Sequence, residues 1–297
     1  MKAAVYHVYG APDVVHVVEV PKPSPKPQEV LGKVLSVAIT AADVRIRSAQ
    51  FPKGFGFFAR LAFGLFAPRK SILGSCFSGV IEAVGSEVTQ YKVGDDVCGI
   101  NTAGFGMHAE YGVMKEHGPI VKKPQNVSHD DAAAVIFGGL ASLSFLRDRA
   151  KIQKGDRVMV NGAAGALGTN AVQLARHFGA TVTTVTRTET VGEAGPYDIV
   201  FDTVGNLSPS DASRLLALNG SLILAAAGLG EMLTMDKRII TGIATENVED
   251  IRLLLSLIER GELQPVVDSV YPLEKIVEAY QRAESRQKRG TIIIHPY

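Results

Sequence analysis

The strongest constraint on this chain lies between residues 156 and 186. Asp156-Arg157-Val158-Met159-Val160-Asn161 reads as a short apolar strand, and a glycine-rich turn, residues 162–168, follows it. Residues 169–178 then carry Ala, Leu and Val at helical spacing until Gly179 stops them, and a second strand, residues 181–186, begins at once. Strand, turn, helix and strand in that order make a βαβ unit. Such a unit needs a parallel sheet, because only a crossover brings the second strand alongside the first in the same direction.

The turn itself, Gly162-Ala163-Ala164-Gly165-Ala166-Leu167-Gly168, suits a nucleotide. Glycines let the backbone turn sharply and approach a pyrophosphate, and the amides at the positive end of the helix hold it. Gly162, Ala163, Gly165, Ala166, Leu167 and Gly168 are therefore the candidate cofactor contacts. The spacing is G-x-x-G-x-x-G, so a tight turn required only for helix–sheet packing is the competing reading. An NAD site places a carboxylate about 20 residues beyond the glycines. Here the second strand ends on Thr186-Arg187. Thr186 can donate to a 2′-phosphate and Arg187 can pair with it, which favours NADP. Glu189, two residues on, keeps NAD as the alternative.

The first third is β-rich: β-branched runs at residues 14–18, 29–34 and 79–84 are separated by Gly and Pro, and residues 21–27 alternate prolines into a stiff connector. Many short strands with such turns predict a small irregular β-barrel. Helical spacing begins at residue 130 and runs to 149. Later strands are expected at 198–202, 221–226, 238–243 and 291–294, and helices at 248–260 and 273–284.

Composition narrows the function classes. Lys+Arg number 31 against 30 Asp+Glu, so charge gives no reason to expect nucleic acid. The two cysteines, Cys76 and Cys98, have no metal-ligand spacing. The chain starts on strand-like sequence, from which a cytoplasmic protein is expected. Residues 55–67, FGFFARLAFGLFA, are too short to span a bilayer of about 30 Å and contain Arg60. They are expected to be buried or to line a cleft, with a membrane-surface helix or docking patch as the alternative.

The chain resembles the medium-chain dehydrogenase/reductase superfamily over nearly its whole length. The likeness rests on the opening MKAAVY and Gly10-Ala11-Pro12-Asp13, and on Leu73-Gly74-Ser75-Cys76-Phe77-Ser78-Gly79-Val80-Ile81. Lys92-Val93-Gly94-Asp95, Ala109-Glu110-Tyr111, the glycine turn with Ala171-Val172-Gln173-Leu174-Ala175, and Asp202-Thr203-Val204-Gly205 extend it. The resemblance implies an α/β chain: a GroES-like β-barrel domain (residues 1–124 and 262–297) and a Rossmann-type parallel sheet domain (residues 125–261). Zinc-dependent members carry a Cys where this chain has Thr40, three residues ahead of Asp43, and a His-Glu pair where it has Ser75-Cys76. The chain is thus similar to the zinc-free, quinone oxidoreductase-like branch, with no metal expected. Relatives also continue after the position of Arg187 with a helix and a third strand; here residues 188–197 run straight into the next strand. The Rossmann sheet is expected to lack that third strand and the helix before it.

The resemblance implies hydride transfer from NADPH to a small electrophile, a quinone or α,β-unsaturated carbonyl. A donor is then needed where negative charge develops on the carbonyl oxygen. Thr40 is the first candidate and Arg47 the second, with Asp43 orienting its neighbours. A satisfied strand residue (Thr40) and a surface cation (Arg47) are the competing readings, and His108 and Tyr111 are expected to pack. Val204 and Gly205 complete the cofactor set. A catalytically weak or inactive nucleotide-binding or structural relative is the alternative function. The strand at 238–243 would form a sheet edge through which a homodimer pairs.

Overall fold

The computed structural model describes residues 1–186 and 195–297 and divides into two compact units. The first comprises Met1–Phe51, Phe57–Phe137 and Glu246–Tyr297; the second comprises Pro52–Gly56 and Gly138–Thr245.

In chain order the first unit begins with β1 (Lys2–Val5) and β2 (His16–Glu19), an antiparallel pair. Strand β3 (Glu29–Ile39) feeds helix α1 (Ala41–Ser48), and α2 (Gly56–Phe63) follows. Then come β4 (Cys76–Val84), β5 (Asp96–Ile100), β6 (Tyr111–Lys115), β7 (Ile120–Lys122) and α3 (His129–Ser142). A seven-stranded sheet runs β7-β5-β4-β3 and is completed by two strands from the end of the chain, while β6 pairs with β3. Strand β3 is eleven residues long because its pattern is nearly continuous Val, Leu, Ile and Ala, which buries both faces. Its core gathers Val34, Val37, Ile39, Phe77, Ile81, Met107 and Tyr6.

In the second unit α3 gives way to a π-helical stretch, Leu143–Arg149, so the expected single helix over 130–149 changes its winding. There follow β8 (Arg157–Asn161), α4 (Ala166–His177), β9 (Thr181–Val185), β10 (Tyr197–Asp202), α5 (Pro209–Ser213), β11 (Leu216–Leu224), α6 (Leu229–Met232) and β12 (Ile239–Ile240). The five strands form a parallel sheet in the order β12-β11-β10-β8-β9, a Rossmann-type arrangement. Strand β9 ends the sheet, so the third strand that longer relatives carry is missing among the described residues. The expected strand at 238–243 shrinks to Ile239 and Ile240, since Gly242 at φ +120° breaks it. Val158, Val160, Ala171, Ala175, Ile199 and Phe201 are buried between α4 and the sheet, which is the face that the apolar spacing of α4 implies.

The chain then returns to the first unit with α7 (Val248–Glu259), β13 (Val267–Pro272), α8 (Ile276–Glu284) and β14 (Thr291–His295), which joins β3 and carries β13 beside it. No helix among the described residues is long and apolar enough to cross a membrane.

Candidate functional site

The glycine turn joins β8 to α4 as the sequence predicts, but α4 starts at Ala166, inside the glycine run. Gly162 has φ +79°, and a Cβ there would stand 2.2 Å from Val204 Cγ2. At Gly168 a Cβ would meet the Gly162 carbonyl oxygen at 2.2 Å and Ala163 Cα at 2.7 Å. Both glycines are demanded by the fold itself. Gly165 is different: its φ is −76°, and a Cβ would touch only the Gly162 oxygen at 3.6 Å. Gly165 is the N-cap of α4, and no side chain caps the helix. The amides of Ala163 and Gly162 are spent on the Val185 carbonyl. Ala166, Leu167 and Gly168 begin the helix, where amides have no carbonyl one turn back to bond. An anion suits that place.

Beside the turn, Asp202 ends β10 fully buried. Its Oδ1 accepts from Asn161 Nδ2 at 2.9 Å and from the amides of Val204 and Gly205, each at 3.0 Å, while Oδ2 accepts from the Leu207 amide at 3.0 Å. Thr203 Oγ1 donates to the Asn161 carbonyl at 2.8 Å. Val204 and Gly205 are thereby held over the glycine turn, with Gly205 at φ +81°. Asn161 and Asp202 were missed as site-builders in the sequence, since 41 positions separate them. Thr186 follows β9; Arg187 and Glu189 lie outside the described residues.

The three candidate catalytic residues fall together in the first unit. Thr40 is the N-cap of α1 rather than a strand residue. It forms a capping box with Asp43: the Thr40 amide donates to Asp43 Oδ2 at 2.8 Å, and the Asp43 amide donates to Thr40 Oγ1 at 3.3 Å. The Thr40 hydroxyl also donates to Asp43 Oδ2 at 2.6 Å. Asp43 Oδ1 accepts from the Gly74 amide at 2.9 Å. Asp43 thus accepts from both the Thr40 and the Gly74 backbone and from the Thr40 hydroxyl. Arg47 is fully buried and no surface cation: it donates to the Gly10 carbonyl, pairs with Glu284, and lies 5.0 Å above the Tyr280 ring.

The same cluster takes in His108, whose Nδ1 lies 3.4 Å from Tyr280 Oη. Burial pushes His108 below the usual imidazole range, and the nearby Asp43 carboxylate offsets this only in part. Burial also lifts Tyr280 and Tyr6 above the phenol range, with Asp43 adding to the shift. His108 packs, as expected. Tyr111 sits edge-on to Tyr297 at 5.9 Å, with Lys22 Nζ 3.6 Å over its ring.

Two further clusters are invisible in sequence spacing. Ser78 Oγ donates to the Val97 carbonyl at 3.0 Å and contacts His129 Nδ1 at 2.8 Å, while His129 Nε2 lies 3.6 Å from Asp96. With the Ser78 hydroxyl proton directed to Val97, the serine oxygen accepts from the Nδ1–H tautomer of His129. That arrangement braces α3 against the sheet; it is not a nucleophile. Asp130 in turn accepts from Ser36 Oγ and lies 2.7 Å from His295 Nε2.

For a metal the donor set is poor. No group of three or more His, Cys, Asp or Glu that could hold an ion occurs among the described residues. Both Asp43 oxygens accept hydrogen bonds, and the Cys76 thiol is fully buried, which raises it well above its ordinary range. Cys98, likewise buried, is pushed up to about 12.

Comparison with known proteins places this geometry. The alcohol dehydrogenase GroES-like domain matches residues 26–125, and the zinc-binding dehydrogenase family matches residues 178–294. The chain belongs to the medium-chain dehydrogenase/reductase superfamily. Within the superfamily it is quinone oxidoreductase-like, and by class an oxidoreductase. It is 27% identical to the 2-methylene-furan-3-one reductase of Solanum lycopersicum, across 100% of this chain and 79% of that protein. It is also 27% identical to the human quinone oxidoreductase, across 95% of this chain and 93% of the relative. The solved quinone oxidoreductase from Coxiella burnetii superposes with a TM-score of 0.87 at 24% identity, covering 100% of this chain and 99% of the other, a likeness of fold.

Proposed function

We propose that the chain is an NADPH-dependent reductase that delivers hydride to a quinone or α,β-unsaturated carbonyl without zinc. Gly165 carries the reading. Neither its φ nor the space around it demands glycine, yet it caps a helix whose first amides lack a side-chain acceptor. A close-approaching pyrophosphate explains the missing side chain. The relatives named as quinone oxidoreductase and 2-methylene-furan-3-one reductase supply the substrate class.

The reduced nicotinamide, when bound, supplies the hydride. The chain's residues then position and stabilise. The amides of Ala166, Leu167 and Gly168 beside Gly165 take the pyrophosphate, Gly162 and Ala163 shape the turn beneath it, and Val204 and Gly205 border the cofactor from the adjoining turn. Thr186 and Arg187 hold a 2′-phosphate; NAD is the alternative, because Glu189 follows so closely. Thr40 is the donor to the developing oxyanion, releasing Asp43 Oδ2 to do so; Asp43 and Arg47 are positioning residues that hold α1. The donor set around Asp43 and Cys76 supports zinc-free chemistry. A homodimer through the outer side of β12 accompanies this reading, and light scattering on purified protein reports it.

A second reading, a fold relative with weak or no turnover, is favoured by the position of β9 at the sheet's edge. Titration with NADPH and NADH, followed by nicotinamide fluorescence, separates the two. Saturable NADPH binding tighter than NADH, lost in Gly165→Val, supports the reductase; no binding of either dinucleotide sinks it.

A further inference from the structure

Between Asp43 and Glu82 the sequence contains no acidic residue, while Arg60 lies within its most aromatic stretch and Arg69 and Lys70 follow it. In the structure that stretch is α2 and the turn after it. Ala59 and Phe63, one helical turn apart, are half-buried. Phe63 stacks on Phe51 at 5.9 Å and meets Phe105 edge-on at 6.4 Å. Gly64, at φ +128°, ends the helix, and its carbonyl accepts from Tyr9 Oη at 2.8 Å. The Arg69 amide closes the turn onto the Phe63 carbonyl at 2.8 Å. One side of the segment is therefore fastened to the protein.

The other side is not covered. Phe57 is 68% exposed, Phe58 59%, Leu61 54% and Phe66 90%, and Leu65 joins them. Apolar composition predicts that these residues are buried or line a cleft; no residue of α2 is buried. A patch of this kind exceeds the scattered apolar residues that a soluble surface ordinarily tolerates. The exposed cations beside it, Arg60, Arg69 and Lys70, carry no acidic neighbour in the segment.

We propose that α2 and the 64–70 turn are a docking surface for an anionic lipid bilayer. Phenylalanine and leucine on one side, with arginine and lysine at the flank, suit a helix lying in the interface plane. The rings enter the acyl boundary and the cations meet headgroups. The anchored Phe63 and the Gly64 turn pre-shape the surface, so little ordering is needed on contact. The proposal is independent of the reductase reading, since it rests on neither nucleotide nor electron acceptor.

Co-sedimentation of the full-length protein with vesicles tests it. One set is phosphatidylcholine alone and the other an equimolar mixture with phosphatidylglycerol. Binding to the anionic vesicles, weakened by salt and much weaker on the neutral ones, is the expected result. Leu61→Ser/Phe66→Ser and Arg69→Glu/Lys70→Glu should each reduce it about ten-fold or more, with thermal melts like the wild type because these side chains are exposed. Absence of binding to anionic vesicles, equal binding to both sets, or binding unmoved in both variants overturns the proposal. So does self-association that Leu61→Ser/Phe66→Ser abolishes without any vesicle binding, which would make the patch a contact between copies.

Discussion

The Asn161 side chain donates to the Asp202 carboxylate at 2.9 Å, tying together the C-terminal ends of two neighbouring parallel strands, β8 and β10. Asp202→Ala strips the acceptor from that amide and from the amides of Val204, Gly205 and Leu207. Buried donors left without partners are costly, so a loss of about 3–5 kcal/mol is expected. Asp202→Asn keeps one acceptor oxygen and should lose about 1–3 kcal/mol. Urea unfolding reads both; variants within error of the wild type would show that the turn is not held by this carboxylate.

Two glycines of one turn should respond in opposite ways. Gly162→Ala forces a positive φ on alanine and a 2.2 Å approach to Val204, so it should lower stability by about 2 kcal/mol or more. Gly165→Ala meets only ordinary contact, so its melting temperature should stay close to the wild type. Gly165→Val should also fold, but it should bind NADPH at least ten-fold more weakly. Equal NADPH affinity in wild type and Gly165→Val would remove the main support for a nucleotide at this turn.

Thr40 is asked to be both cap and donor. Thr40→Val loses the capping box, for which about 1 kcal/mol of destabilisation is expected. Its kcat should fall by a factor of ten or more while NADPH affinity holds, and Thr40→Ser should restore most of the rate. A valine variant with wild-type kcat would reduce Thr40 to the cap alone.

His108 sets an acid limit on stability. Burial holds its pKa in the folded chain below the unfolded value of about 6.5. The stabilisation is thus complete above about pH 6.5 and is lost as pH falls towards the lower folded value, because the unfolded chain takes up the proton first. Half-buried His129, also depressed, adds to the same limb. Urea midpoints at pH 7, 6 and 5 should fall steadily for the wild type and less steeply for His108→Phe. Parallel slopes would show that His108 does not control this limb.

The second unit was legible in the sequence because its signals are local. The strand before Gly162, the apolar spacing of α4 and the brevity of residues 188–197 point to the parallel order and to a sheet that, among the described residues, ends at β9. The buried cluster was legible only in fragments. Thr40 and Asp43 stand within one helical turn and suggest a cap. Arg47, His108 and Tyr280 meet only through the fold of the first unit, so Arg47 reads as a surface cation until Glu284 and Gly10 are seen beside it. Residues 55–67 stay open for another reason: apolar composition says that a segment avoids water, but not whether protein covers it. Thr186 and Arg187 remain the sequence's own argument for NADP.

Strand β9 gives the second unit a softer side. Among the described residues it pairs only with β8, and the Thr181 and Thr184 side chains are exposed to water. Its backbone amides should then fall into two classes in deuterium exchange: those turned towards β8 protected for long times, those turned outward exchanging at once. In β8, enclosed by β9 and β10, no such alternation is expected. The boundary between fast and slow amides would mark where this shortened sheet meets solvent.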